Sequence, residues 1–252
     1  MTAVRVIARL DIKAPNLVKG VHLEGLRIMG LPSDFSERYY VQGADEIIYQ
    51  DIVASLYGRN NILDLVVDTA ENIFIPMTIG GGIRSVEDAR AALRAGGDKI
   101  SVNTAVTKSP ELITELSKTF GSQCIVVTIE TIRDSDGIYR VFTDNGREGS
   151  NLEAVTWAGQ VEKLGAGEIL ITSVDQEGTF KGFDINLIKN ITERVNIPVI
   201  AHGGAGSPED VVSAIRDGNA DAVALAGILH YERFTIKDVK NALVNAGYEV
   251  RL

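Results

Sequence analysis

Shifted by 122 positions, so that Gly43 falls on Gly165, the chain overlays two stretches of itself without a gap. Gly43-Ala-Asp-Glu-Ile47 meets Gly165-Ala-Gly-Glu-Ile169. Further on, Ile75-Pro76, Gly81-Gly82, Ser85, Glu87-Asp88 and Gly96 meet Ile197-Pro198, Gly203-Gly204, Ser207, Glu209-Asp210 and Gly218. A repeat this long means two copies of one multi-element unit, which restricts the folds available to the chain.

Within each copy, short β-rich runs alternate with helical patterns. Strands are expected at Val4–Asp11, Glu46–Asp51, Pro76–Gly80, Lys99–Asn103, Cys124–Glu130, Glu168–Val174, Pro198–His202 and Ala222–Ala226, with a helix after each. The helix after Glu46–Asp51 is expected at Asn61–Asn72. Start signals support the helices: Ser85-Val-Glu-Asp88 is a capping-box variant, and Ser109-Pro110 and Ser207-Pro208 put a cap before a helical proline. Strand–helix units in series form parallel sheets, and eight of them in about 250 residues is the size of a (β/α)8 barrel, the TIM barrel. The expectation is an α/β fold of one domain over residues 1–252, with half barrels near 1–120 and 121–252.

Composition narrows the function. A net charge of −9 and a pI near 4.9 disfavour nucleic acid and anionic membranes. An anionic ligand must therefore be caught locally. One cysteine, Cys124, rules out a disulfide framework, and His22, His202 and His230 make no metal spacing. No metal or cofactor is expected. With no signal peptide or spanning segment in the sequence, a cytoplasmic setting is expected.

In such a barrel, chemistry sits where strands run into loops at their C-terminal ends. Two glycine turns stand there at equivalent places of the repeat, Gly80-Gly81-Gly82 and Gly203-Gly204-Ala205-Gly206. Glycine lets backbone N–H groups close on an anion, and each turn leads into a capped helix. The next strands end in Asn103-Thr104 and in Ala226-Gly227. One such turn alone would be read as a tight connection. Two in register point to a phosphate cradle on each side of the barrel mouth.

Strand parity then places two acids. In the first strand Arg5, Ile7, Arg9 and Asp11 share the inward parity; in the fifth, Cys124, Val126, Thr128 and Glu130 do. Asp11 and Glu130 thus face each other at the rim, suited to general acid and base work between the cradles. At the other end Arg5, Glu46, Lys99 and Glu168 balance in charge and suit a ring of ion pairs, either a structural plug or a gate.

These residues carry a resemblance that covers nearly the whole chain. Leu10-Asp-Ile-Lys13, Leu17-Val-Lys-Gly20, Asp51-Ile-Val-Ala-Ser55, Gly80-Gly-Gly-Ile83, Asp98-Lys-Ile-Ser-Val-Asn-Thr104, Phe120-Gly-Ser-Gln123 and Gly203-Gly-Ala-Gly206 are similar to motifs of the cyclase (HisF-type) subunit of imidazole glycerol phosphate synthase. The resemblance implies a lyase of histidine biosynthesis that takes ammonia from a glutaminase subunit docked on the N-terminal face. The substrate would be a bisphosphorylated formimino-aminoimidazole carboxamide ribonucleotide. It implies Asp11 and Glu130 as catalytic, and Gly82, Asn103 and Thr104 at one phosphate with Gly204, Ala226 and Gly227 at the other. Lys19 and Asp51 match the pocket, and Arg5, Glu46, Lys99 and Glu168 match an ammonia gate.

The chain also departs from that pattern. Glu130 stands for an aspartate, Arg9 for a small cysteine, and Gln50 for an apolar residue; Glu177 and His202 replace shorter or smaller rim residues. Arg9 could pair with Glu130 or Asp11, narrow the ammonia path, or serve a different substrate. Two readings follow: the family cyclase, or a paralogue that delivers ammonia or amidates a sugar in surface-glycan biosynthesis. The segment from Lys13 to Pro32, which carries Lys19, is expected to be a mobile lid loop.

Overall fold

The computed structural model describes residues 3–54 and 62–251. Ser55 and Asn61, which the sequence reading placed in a motif and at a helix start, lie outside them. Eight parallel strands close into a barrel. They are β1 (Arg5–Lys13), β4 (Glu46–Asp51), β5 (Met77–Gly80), β6 (Lys99–Val102), β7 (Ile125–Arg133), β10 (Glu168–Ser173), β11 (Val199–His202) and β12 (Ala222–Leu225). Each pairs with the next, β7 bonds β10, and β12 returns to β1 with Arg5 opposite Ala222. Closure leaves no parallel edge exposed.

Period-two alternation divides the apolar residues into two cores. Val6, Ala8, Leu10 and Ile12 of β1 join the large layer between strands and helices. Ile7, Ile48, Val126, Leu170, Ile200, Ala222 and Ala224 form a separate cluster inside the barrel. The expected parity of the first and fifth strands holds, save that Cys124 ends a 3-10 turn and the strand begins at Ile125.

The helices begin where the chain satisfies their free N–H groups. Ser85 accepts the Asp88 N–H at the start of Val86–Arg94, while the Asp88 carboxylate takes the Arg84 N–H instead of closing the box. Ser207 and Asp210 make the full capping box before Pro208–Arg216. Ser109 makes no such cap: Glu111–Phe120 starts one residue later, after Pro110. Among the described residues no helix is long and apolar enough to cross a membrane.

The expected lid loop is instead a β-ribbon. Beyond β1 the chain turns into β2 (Asn16–Val21) and β3 (Glu24–Gly30), and β1 pairs antiparallel with β2. The same device follows β7, unforeseen in the sequence: β8 (Tyr139–Thr143) and β9 (Glu148–Glu153) extend it antiparallel. Each half barrel thus carries one hairpin rising from its first strand over the mouth.

Candidate functional site: two carboxylates over a charged shaft

The barrel interior is layered, and the layers follow from register. At the N-terminal end Arg5 Nη1 lies 2.6 Å from Glu46 and 2.8 Å from Glu168. Lys99 Nζ lies 3.0 Å from both. The four side chains close a ring in which each carboxylate is held by two cations, which offsets their desolvation. Above it stands the apolar cluster around Ile7, and above that a polar layer: Arg9, Gln50, Ser101, Thr128, Thr172 and His202. Ser101 and Thr128 hydroxyls bond at 2.6 Å.

Arg9 is 1% exposed and crosses this layer. Its Nε donates to Asp11 Oδ1 at 3.0 Å, and its Nη1 reaches Thr172 Oγ1 at 3.5 Å, on a strand three places round the barrel. Nη2 has no hydrogen-bond partner among the described residues. Arg9 therefore pairs with Asp11 rather than Glu130, although Glu130 also acts on it through space.

Asp11 and Glu130 are both buried, on β1 and β7 across the mouth. Their environments push their protons in opposite directions. Burial raises the Asp11 carboxyl, but Arg9 and then Lys19 outweigh it and hold the group below its usual range. For Glu130 burial wins: despite Arg9 and the Gly146 N–H, which reaches its Oε2 at 2.9 Å, its carboxyl is pushed up to about 7. The result is one ionised and one protonatable carboxyl near neutrality, which suits a base and an acid. The imidazole of His202, buried beside Arg9 and Lys19, is held well below its ordinary range and stays neutral.

The two glycine turns adopt matching backbones. Gly81 and Gly82 have φ of 94° and 72°, Gly203 and Gly204 of 99° and 105°. A Cβ at Gly81 would stand 2.8 Å from that of Asp51, so glycine is required by space as well as by φ. Asn103 and Ala226, which end the next strands, also match, at φ −137°, ψ −84° and φ −130°, ψ −87°.

The cradles differ in how open they are. Gly82, Asn103 and Thr104 line a cavity of about 460 Å³ that also takes in Gln50, Asp51 and Glu130. Gly204, Ala226 and Gly227 share only about 20 Å³ with Glu177 and His202. Phe180, with φ of 60°, closes it: a Cβ on Gly227 would lie 3.1 Å from the Phe180 ring, over which Arg233 sits at 4.0 Å. Nothing in the sequence marked Phe180. Asp144 and Gly146, which brace Thr104 and Glu130, were missed with their hairpin, whereas Ser101 follows from inward parity.

Lys19 is buried on β2, where its ammonium pairs with Glu177. Glu177 Oε2 also accepts the Leu23 N–H at 3.0 Å, and the His22 N–H reaches the Glu177 carbonyl at 2.9 Å. The ribbon is thus latched to the loop after β10. Asp51 Oδ1 accepts the Val53 N–H at 3.0 Å and shapes the turn after β4. Among the described residues no cluster of His, Cys, Asp and Glu has the form of a metal site.

Residues 5–235 match the family described as histidine biosynthesis protein. The chain is 60% identical to the imidazole glycerol phosphate synthase subunit HisF of Legionella pneumophila, over 83% of this chain and 99% of that one. It is 48% identical to the protein of the same name from Methanopyrus kandleri, over 99% of this chain and 98% of that one. The Methanocaldococcus jannaschii protein of that name is 45% identical and covered completely.

Proposed function

We propose a reaction for this site from one premise: the chain belongs to the histidine biosynthesis protein family, among the HisF subunits of imidazole glycerol phosphate synthase. Its function is that of the synthase's cyclase subunit, and the relatives' names give no support to the surface-glycan alternative. The finer reading is an ammonia-dependent lyase. It converts a bisphosphorylated formimino-aminoimidazole carboxamide ribonucleotide to imidazole glycerol phosphate and an aminoimidazole carboxamide ribotide. We take residues 1–252 as one catalytic barrel, working in the cytoplasm.

The observation that carries this reading is the placement of two buried carboxyls, Asp11 on β1 and Glu130 on β7, between two matched glycine cradles. The cradle of Gly82, Asn103 and Thr104 holds one phosphate, that of Gly204, Ala226 and Gly227 the other. With both ends fixed, the reacting middle lies under the two acids, and orientation alone lowers the barrier. Asp11 accepts the proton that nitrogen sheds as it bonds to carbon. Glu130, still protonated near neutrality, gives one to the departing amine. Gln50 and Asp51 line the cavity of the first cradle and Glu177 and His202 that of the second, with Lys19 on the ribbon beside them; we take all five as substrate-pocket residues.

Ammonia enters from a partner glutaminase subunit on the N-terminal face, where Arg5, Glu46, Lys99 and Glu168 form the gate. The apolar shaft above that ring supports passage of an uncharged molecule. The test is turnover of the ribonucleotide at neutral pH, with enough ammonium salt to supply free ammonia, native chain against Asp11→Asn. We expect turnover by the native chain and a loss of about 10²-fold or more in the variant. A native chain that binds the ribonucleotide without converting it refutes the reading.

A further inference from the structure

The side chain least explained by that reaction is Arg9. It lies across the barrel between the apolar shaft and the two acids, from β1 to Thr172 on β10. Three carboxylates act on it: Asp11, Glu130 and Glu177. Among the described residues the other charged or titratable groups acting on these side chains include Lys19, His202, His230 and Asp144. Without Arg9, a buried polar chamber with three carboxyl groups and one lysine would attract a small cation. The cation best placed to enter is ammonium, the protonated form of the cyclase's own nitrogen source.

Resting on the cyclase reading, we propose that Arg9 selects the nitrogen source: its fixed charge keeps ammonium out of the chamber, and its unpartnered Nη2–H donates a hydrogen bond to the lone pair of ammonia. Two observations carry this. Arg9 spans the path above the shaft, so anything rising from the ring meets the guanidinium first. Nη2 is a buried donor with no partner among the described residues, and such a group costs stability unless a ligand uses it. A guanidinium only donates, so it suits a molecule with a lone pair and rejects one that has lost it to a proton. Ammonia meets both conditions and ammonium neither. Arg9 is then a positioning residue placed between gate and reacting carbon.

The experiment follows ribonucleotide turnover by the whole chain with ammonium chloride, at neutral and alkaline pH, with and without methylammonium chloride. For the native chain, KM counted as free ammonia is the same at both pH values, and methylammonium does not compete. In Arg9→Met, loss of one charged hydrogen bond raises that KM by about tenfold or more. The rise is larger at neutral pH, where ammonium is abundant, and methylammonium becomes a competitive inhibitor. Arg9→Lys, which keeps the charge, restores resistance to methylammonium. The KM for the ribonucleotide moves far less, while kcat falls because Asp11 loses its cation. An unchanged ammonia KM in Arg9→Met, or an equal rise in both KM values, overturns the proposal and leaves the cyclase reading standing. Competition by methylammonium against the native chain overturns it without any variant. Absence of native turnover is the separate result that removes the cyclase reading, and this inference with it.

Discussion

Arg9 Nε lies 3.0 Å from Asp11 Oδ1, and both side chains are buried inside the barrel two residues apart on one strand. Inward parity puts them in successive layers, so the cation sits beneath the carboxylate it holds ionised. Glu130, across the mouth, has no direct cation partner among the described residues and keeps its proton to about 7. Arg9 is the largest of the charges that hold Asp11 low, with Lys19 after it, while burial dominates at Glu130.

That asymmetry fixes a pH profile. If Asp11 works as base and Glu130 as acid, kcat/KM falls as pH rises through about 7, because Glu130 gives up its proton there. The acid limb lies below the usual carboxylate range, where Asp11 is protonated. Glu130→Gln removes the alkaline limb and most of the activity. Steady-state rates across pH at a fixed concentration of free ammonia check this, and a flat profile through neutrality refutes it.

The same group makes stability depend on pH. The folded-state value, about 7, is above the ordinary glutamate value of 4.5, so the native chain binds the extra proton between them. Its contribution is complete below 4.5 and is lost as pH rises to about 7. Integrated, this is at most about 3 kcal/mol. Glu130→Gln should therefore unfold at a higher denaturant midpoint than the native chain at pH 8 and show little difference at pH 4.5. Equal shifts at both values contradict the burial argument.

Length at position 130 also matters. The Gly146 N–H in the β8–β9 turn reaches Glu130 Oε2 at 2.9 Å, a contact that aspartate is one methylene too short to keep. The turn is fitted to the longer side chain at this position. We expect Glu130→Asp to lower kcat/KM by about tenfold, measured in the ammonium assay.

At the floor of the barrel, Lys99→Met would leave Glu46 and Glu168 each with Arg5 alone. The expected loss of stability is about 1–3 kcal/mol. Adding Glu168→Gln, which removes one of the stranded charges, should recover part of it. A double variant less stable than the sum of the two singles would show that the ring is not coupled in this way.

Over the mouth, Glu177→Gln should free the ribbon by discharging the partner of Lys19. Amide exchange of Val18 to Leu23 is expected to speed up by about tenfold or more while the barrel strands keep their protection. Uniform acceleration would mean that Glu177 supports the whole fold rather than the latch.

Much of the fold was legible because its signals are periodic and local. Alternation of period two set which residues of β1 and β7 face inward, so Asp11, Glu130 and the apolar Ile7 layer could be placed without coordinates. The repeat paired the glycine turns, and φ near 100° at Gly203 and Gly204 is what glycine at those positions permits. The four charges of the ring shared one parity and one end.

Long-range geometry alone decided the rest. Which acid Arg9 would hold depended on where Thr172, 163 positions away, came to lie when the barrel closed. The hairpins after β1 and β7 went unread, since their outer strands β3 and β9 are largely exposed and their register is set by the barrel strand they extend. Phe180 closing the second cradle left no trace in the chain, because its position depends on Gly227 approaching from the short helix after β12. The sequence by itself determined the layers, through the alternation of each strand. Only the tertiary structure decided which charges in a layer meet, because a closed ring of strands brings distant segments within bonding distance.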